Sequence, residues 1–177
     1  MKKPDENEPF DALSSAYESM QARVAEQWHR VQDRTGDLLH GLIDRAKDES
    51  VVSGELTEEE SAKVAGWLKR DLHEISSYLS DTGHELSEWL GFETELVEQT
   101  LLDRLLQVAD KTTLELLRLK ALGEPRYSYK TGEITGPGSL VCDGCDEKLT
   151  FHKTGRIPPC PRCHGVLFSR PPRSQPK

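Results

Sequence analysis

The chain of 177 residues has few of the side chains that build a large apolar core. It contains three Trp, four Tyr, four Phe and two Met, and hydrophobic residues make up 35% of it. No apolar run approaches the roughly 20 residues of a membrane-spanning helix, and no signal-peptide pattern follows Met1. We therefore expect a cytoplasmic protein with no membrane partner, built on an elongated helical body with a narrow buried seam.

Catalytic motifs are also missing. His73-Glu74 and His84-Glu85 lack the second histidine of the H-E-x-x-H motif, because Ser77 and Glu88 stand at that place. Gly136-Pro137-Gly138-Ser139 has no following Lys and precedes a predicted strand, so it is not a phosphate loop. No G-x-S-x-G is present. We expect a protein that is not an enzyme and has no small-molecule substrate.

The net charge of -8 is unevenly distributed along the chain. Residues 1–124 contain 14 Lys and Arg against 27 Asp and Glu, whereas residues 125–177 contain 9 against 4. A basic segment after an acidic body is typical of a tail that meets an acidic partner, and equally of a module that docks on its own acidic helices. The sequence leaves both alternatives open.

Two apolar stripes with a spacing of three or four residues predict helices in the acidic part. We interpret Phe10 to about Lys47 as one long helix, roughly 55 Å in length. Gly36 and Gly41 weaken its second half and leave open a break there. A turn at residues 51–56 follows, and Thr57-Glu58-Glu59-Glu60 is a capping box that begins a second helix. The first stripe consists of Phe10, Leu13, Tyr17, Met20, Val24, Trp28 and Val31, resumed by Leu38, Leu42 and Ile43, and the second of Val64, Leu68, Leu72, Ile75 and Leu79.

Two C-x-x-C pairs, Cys142 with Cys145 and Cys160 with Cys163, indicate a small β zinc ribbon in the C-terminal part. The sequence thus predicts a mostly α protein, in which a long antiparallel helical hairpin or coiled coil precedes this ribbon. Extra short helices are expected at about Thr94–Ala109 and Lys111–Leu122. The predicted domains are a disordered N-terminus at 1–9, a helical hairpin or bundle at 10–123, a zinc ribbon at 124–170 and a disordered Pro-rich tail at 171–177.

Cysteine is scarce, and its placement is the most informative feature of the sequence. The four cysteines form two C-x-x-C pairs with fourteen residues between them: Cys142, Cys145, Cys160 and Cys163. In a reducing compartment such pairs favour a metal over disulfides. Four thiolates at about 2.3 Å in a tetrahedron form a closed zinc site. We predict one structural Zn²⁺ on these four residues, with rubredoxin-like iron as an alternative.

Residues near the cysteines fit zinc knuckles. Asp146 and His164 follow the second cysteine of each pair, where a positive φ is often required and where Asp and His are tolerated. His152 and His164 are interpreted as turn residues or neighbours of the ligands, since four cysteines complete the site. Apolar side chains are few in this part, so the ribbon should collapse without metal. They are Leu140, Leu149, Phe151, Ile157, Val166 and Phe168.

Strands are predicted around the cysteines. Leu149 and Phe151 indicate one strand between the two pairs. Tyr127–Tyr129 and Glu133–Thr135 flank Lys130-Thr131-Gly132 and predict a short hairpin.

A set of cations and aromatic side chains in the ribbon offers a possible nucleic-acid surface. Charges this sparse are usually a solvated face, however, and the aromatic residues of a small domain are usually core. The set consists of Lys148, Lys153, Arg156, Arg162, Arg170 and Arg173, with Phe151, Phe168, Tyr127 and Tyr129.

The chain resembles the YbeL-like zinc-ribbon-containing family of bacterial proteins. The resemblance lies in Ser53-Gly54-Glu55-Leu56-Thr57, in Asp110-Lys111-Thr112, and in the run from Gly132-Glu133 through Gly138–Cys142 to Cys160-Pro161-Arg162-Cys163. It implies a helical N-terminal region, a zinc ribbon with ligands at the four cysteines, and no established activity.

These observations lead to a non-enzymatic zinc-binding adaptor. The ribbon would bind an unidentified protein partner, while the helices form a homo-oligomer or bind a second partner. The alternative is a nucleic-acid-linked regulator that contacts RNA or DNA through the basic ribbon. A thiol-based redox sensor that releases zinc on oxidation is a third class.

Overall fold

The computed structural model describes residues 12–30, 36–79, 90 and 128–170. These residues form three helices and six strands: α1 (Ala12–His29), α2 (Gly36–Val52), α3 (Glu58–Leu79), β1 (Tyr129–Lys130), β2 (Ile134–Thr135), β3 (Gly138–Cys142), β4 (Lys148–Phe151), β5 (Gly155–Arg156) and β6 (Leu167–Ser169). None of the three helices is long and apolar enough to cross a bilayer. The helices predicted at 94–109 and 111–122, and the disorder predicted at both ends, lie outside the described residues.

The predicted long helical hairpin is wrong. The three helices have only 18, 17 and 22 residues, and several antiparallel strands accompany them, so the described chain is not a mostly α coiled-coil protein. The first helix ends at His29, where the Arg30 N–H donates to the Gln27 carbonyl, and the stripe resumes in α2. The described part of the stripe is divided between two helices, each of which packs on α3 by itself.

The described part of the two stripes is confirmed, because most of its residues form the buried seam between the three helices. Phe10, Val31 and the side chain of Leu79 lie outside the described part of the chain. Both α1 and α2 pack on α3 and on each other. The buried cluster contains Tyr17, Met20, Val24, Ala25 and Trp28 of α1, Leu39, Leu42, Ile43 and Ala46 of α2, and Val64, Ala65, Leu68 and Leu72 of α3, with Leu56 and Ile134. The period of the sequence therefore predicted the buried faces, although it did not predict where the first helix ends.

The predicted capping box is confirmed at the start of α3. The Glu60 N–H donates to Thr57 Oγ1 at 3.3 Å, and the Thr57 N–H donates to Glu60 Oε2 at 3.0 Å. Each residue thus satisfies a backbone donor that the first turn of a helix leaves without an internal partner.

Replacing Thr57 with Ala should lower the free energy of unfolding by about 1 kcal/mol, because it removes the acceptor for the Glu60 N–H. Thr57→Ser keeps the hydroxyl and serves as the matched control. Urea unfolding followed by tryptophan fluorescence measures both variants. Equal stability of Thr57→Ala and Thr57→Ser would mean that the cap contributes nothing in solution.

The strands form two small antiparallel sheets, one of four strands in the order β1-β6-β3-β4 and one made of β2 and β5. The strand predicted around Leu149 and Phe151 is β4, which pairs with β3. The predicted hairpin is wrong in its pairing: the turn exists, with the Glu133 N–H donating to the Lys130 carbonyl, but β1 pairs with β6 and β2 with β5. The turn therefore connects β1 and β2, which belong to different sheets. Strand β2 packs on α3 and α1.

Candidate metal centre

The structure brings the four cysteines of the two C-x-x-C pairs together. Their sulfur atoms all lie within 4.8 Å of one another. Cys142 Sγ is 3.5 Å from Cys163 Sγ, and Cys145 Sγ is 3.5 Å from Cys160 Sγ. A tetrahedral zinc with bonds of about 2.3 Å requires sulfur separations of about 3.8 Å, whereas a disulfide requires about 2.05 Å. The donor set therefore fits a tetrahedral metal, and all four cysteines are free thiols.

Two turns of nearly identical backbone present these sulfurs. In the first, the Asp146 N–H donates to the Cys142 carbonyl and the Cys142 N–H to the Glu147 carbonyl. In the second, the His164 N–H donates to the Cys160 carbonyl and the Cys160 N–H to the Gly165 carbonyl. Asp146 and His164 have φ of 59° and 60°, so the predicted left-handed positions are confirmed.

Glycine is needed close to the second turn. A Cβ on Gly165 would lie 3.2 Å from both Cys142 Sγ and Cys163 Sγ, and the Gly165 N–H donates to Cys163 Sγ at 3.4 Å. A side chain here would crowd the sulfurs that a metal must bind.

Neighbouring amides and sulfurs shift the pKa values of three of the thiols, Cys142, Cys145 and Cys160. Burial opposes the Cys160 thiolate, but the amides of Cys163 and Arg162 and the neighbouring thiols outweigh it and lower its pKa to about 7. At Cys145 the Glu147 amide favours the thiolate, yet burial and the sulfurs of the other cysteines raise the pKa to about 12. Four sulfurs at this spacing cannot all ionise unless a cation neutralises them, which is the environment that a dication meets in a four-cysteine site.

The small core beneath the sulfurs differs from the predicted set. It contains Tyr129, Leu140, Cys142, Ile157, Cys160 and Phe168, with Cys145, Leu149 and Phe151 packed against it. Tyr129 was not in the predicted apolar set, although it is one of the aromatic residues expected to be core. Val166 was, but 55% of its surface is exposed, because it lies between the second turn and β6 on the outside of the ribbon.

A second polar site lies between the ribbon and the helices, and sequence reasoning missed it. Arg70 and Asp71 of α3, here called the docking pair, are only 6% and 3% exposed. Arg70 donates to Asp71 Oδ1 at 3.1 Å, to Glu133 Oε2 at 2.5 Å and to the Ile134 carbonyl at 2.9 Å. Its guanidinium carbon also lies 3.9 Å from the centre of the Tyr129 ring.

Asp71 is the acceptor at the centre of this site. Its Oδ2 accepts hydrogen bonds from Tyr17 Oη at 2.8 Å, from the Gly136 N–H at 2.8 Å and from Thr135 Oγ1 at 3.4 Å. The docking pair thus joins α1 and α3 to the segment from β1 to Gly136. The one signal in the sequence is spacing, since Asp71 lies three residues after Leu68 and therefore on the buried face of its helix.

Arg170 contacts the ribbon side of the same site. It donates to the Ser139 carbonyl at 3.3 Å and to Thr135 Oγ1 at 3.2 Å, and it lies 5.1 Å from the Tyr129 ring. Gly138 makes room for it, because a Cβ there would stand 2.1 Å from Arg170 Nη1 and the φ of Gly138 is +137°. Burial opposes the charge of Arg170, but Tyr129 and Asp71 outweigh it and raise its pKa.

Two tyrosines of the site are held neutral. Burial raises the pKa of Tyr17 well above its ordinary value, and the charge of Asp71 raises it further. Burial likewise raises the pKa of Tyr129. Both folded pKa values exceed the unfolded value of about 10. The folded state is therefore not penalised for keeping the two phenols neutral below pH 10, but it loses stability relative to the unfolded state as the pH rises from 10 towards the folded pKa values.

The free energy of unfolding should therefore fall above pH 10, by up to about 1.4 kcal/mol per pH unit for each tyrosine. Tyr17→Phe should make the decline shallower, because it removes one of the two groups. Urea unfolding between pH 8 and pH 11 measures the slope in both proteins. Parallel slopes would contradict the assignment, since lysines and cysteines titrate in both.

Comparison with known proteins agrees with this geometry. A family model described as "Zinc-ribbon containing domain" matches residues 6–172. The uncharacterized protein YbeL of Escherichia coli K12 is 26% identical over 163 residues, which cover 92% of this chain and 98% of that protein. YbeL of strains O6:H1 and O157:H7 matches equally well. No solved structure matches the chain. The resemblance inferred from the sequence is thereby confirmed.

Proposed function

The chain belongs to the zinc-ribbon containing family, and from this premise we propose that it is a non-enzymatic adaptor whose four cysteines hold one structural Zn²⁺. Convergence of the four sulfurs carries the proposal. They supply a complete tetrahedral donor set, so the ion would have no open position for a substrate or an activated water. Within residues 12–30, 36–79 and 128–170, no other group of three or more His, Cys, Asp or Glu is placed to hold a metal.

Zinc would act on the fold rather than on a substrate. The ribbon core has few buried side chains, and two of them, Cys142 and Cys160, are themselves ligands. Structural zinc sites supply roughly 10–16 kcal/mol of folding free energy in small modules. The ion would therefore hold the two turns and the β3–β6 pairing in one arrangement and present a rigid surface.

The outer side of the second turn is the surface best suited to a protein partner. Val166 and Leu167 are 55% and 44% exposed. Lys130 pairs with Leu167 across the sheet, and both Lys130 and Arg162 are exposed. An exposed apolar pair with a cation directly opposite it on the next strand, and a second cation in the adjoining turn, suits an acidic segment that also carries apolar side chains. The partner stays unidentified, and a second copy of the chain is one outcome of the test.

The nucleic-acid alternative has lost part of its support. Tyr129 and Phe168 are fully buried, and Arg170 donates hydrogen bonds to Ser139 and Thr135 within the ribbon, so these three residues are not placed to form a stacking platform. Lys148, Lys153, Arg156 and Arg162 are exposed. Binding through these cations alone would weaken steeply with salt.

The test is purification of the untagged protein from its host, with metal analysis and identification of whatever co-purifies at moderate salt. Val166→Asp is the probe, and Val52→Asp is its matched control, because Val52 is 88% exposed but lies at the end of α2. One zinc per chain and a protein lost only from Val166→Asp would support the adaptor. A partner retained by both variants would overturn the assigned surface, and nuclease-sensitive material lost at high salt would favour the regulator. Iron in place of zinc would overturn the metal assignment.

A further inference from the structure

We infer that the docking pair, Arg70 and Asp71, couples metal binding by the ribbon to its packing on the helices, so that loss of the metal releases the face of α1 and α3 beneath the ribbon. The inference rests on the proposed function in one respect, namely that the four cysteines hold a metal. It assigns to two helical residues, neither of them near a sulfur in sequence, an effect on metal affinity.

The helical side of the contact is built for the ribbon. Arg70 donates two of its three hydrogen bonds to the ribbon, to Glu133 and to the Ile134 carbonyl. Asp71 accepts two bonds from within the helices, from Arg70 and Tyr17, and two from the ribbon, from Thr135 Oγ1 and the Gly136 N–H. A buried charge stays favourable only while such partners are in place.

The ribbon side leads directly to the cysteines. Glu133, which faces Arg70, accepts the Ile157 N–H at its carbonyl, and Ile157 lies three residues before Cys160 in the same core. Tyr129, which stacks on Arg70, pairs with Phe168, and Phe168 pairs with Cys142. Along each route, two residues stand between the docking pair and a cysteine: Glu133 and Ile157 before Cys160, and Tyr129 and Phe168 before Cys142.

Because of these contacts, metal binding by the ribbon and the packing of the ribbon on the helices should stabilise each other. Without metal, the ribbon core would have too few apolar side chains to hold β1, β3 and β6 in register. Glu133, Ile134 and Gly136 would then no longer contact the docking pair. Burial of the Arg70 and Asp71 charges away from water is unfavourable without these hydrogen-bond partners. Water must therefore reach this face, which uncovers Tyr17 and the middle of α3.

Thermodynamic linkage requires the converse. If metal binding favours docking, docking favours metal binding by the same factor. Arg70→Met should therefore weaken zinc affinity, although Arg70 contacts no cysteine. Couplings between distinct sites are typically about 5- to 150-fold, and we expect a loss in this range. Arg45→Met, an exposed arginine on α2, should leave the affinity unchanged.

The experiment uses the full chain loaded with zinc. Zinc affinity is measured by competition with a chromophoric chelator in the wild type, Arg70→Met, Glu133→Gln and Arg45→Met. Glu133→Gln removes one contact from the ribbon side, so it tests the same link if Arg70→Met fails to fold. Amide hydrogen exchange of the wild type, with and without excess chelator, reports residues 68–75 and the region around Tyr17.

Weaker zinc binding in Arg70→Met or Glu133→Gln but not in Arg45→Met, with faster exchange at 68–75 on chelation, is the expected result. Unchanged zinc affinity in both Arg70→Met and Glu133→Gln would overturn the inference. An amide exchange rate at residues 68–75 that is the same with and without chelator would also overturn it. A wild-type protein that binds no zinc would instead overturn the proposed function, and metal analysis identifies that case before the variants are compared.

Discussion

Cys160→Ser is expected to abolish metal retention and to unfold the ribbon. Cys160 is buried in the ribbon core, its sulfur lies 3.5 Å from that of Cys145, and its amide and carbonyl close the second turn. A hydroxyl is a poor substitute for a thiolate, and a site with three sulfurs loses much of the roughly 10–16 kcal/mol that structural zinc supplies. The remaining apolar contacts are too few to replace it.

Metal content by elemental analysis and the dispersion of ribbon amides in NMR spectra measure this loss. His164→Asn is the matched control, because His164 is exposed, follows the last cysteine and has a φ of 60°, a conformation that Asn also tolerates. His164→Asn should keep one zinc per chain. If it lost zinc while Cys160→Ser kept it, the four-cysteine assignment would be wrong.

Asp71→Ala is expected to lower the free energy of unfolding by about 3–5 kcal/mol. It leaves Arg70 buried with one carboxylate instead of two, and it removes the acceptor of Tyr17, Thr135 and the Gly136 N–H. Burial opposes the charge of Arg70, and Asp71 is the largest of the influences that overcome it and raise its pKa. Loss of Asp71 therefore leaves the Arg70 charge poorly compensated.

Chemical unfolding measures this effect, and the chain provides a matched control. Asp44 accepts a hydrogen bond from Lys69 at 2.7 Å, but its side chain is 52% exposed. Asp44→Ala should cost about 1 kcal/mol at most, since solvent screens exposed ion pairs. The double variant Arg70→Met/Asp71→Leu should recover part of the loss, because it removes both charges. Equal effects of Asp71→Ala and Asp44→Ala would contradict the buried role of the docking pair.

Local patterns account for what could be read from the sequence. Two C-x-x-C pairs predicted a four-sulfur site, and the residues after them predicted positive φ at Asp146 and His164, because each turn is closed within a few residues. Apolar residues at intervals of three and four predicted the buried faces of the helices. The capping box at Thr57 was readable for the same reason, since both of its hydrogen bonds join residues three apart.

The interruption of the first predicted helix and the pairing of the strands could not be predicted from such local patterns. The same stripe fits one long helix or two short ones, and only packing on α3 distinguishes them. Lys130-Thr131-Gly132 predicted a turn correctly, yet the partners of β1 and β2 are β6 and β5, whose paired residues lie 20 or more positions away along the chain. Strands of two residues carry too little pattern to specify a partner.

The sequence by itself therefore determined the sulfur cluster, its two turns, the cap of α3 and the buried helical faces, because each follows from bonds or periods spanning a few residues. Only the tertiary structure decided that the ribbon packs on the helices through Arg70 and Asp71. Their partners Glu133 and Gly136 lie 63 and 65 residues away. No period or spacing encodes such a contact, and charged residues in a helix are ordinarily solvated. Here they are buried because the ribbon supplies an ion pair, a carbonyl and an amide that replace water.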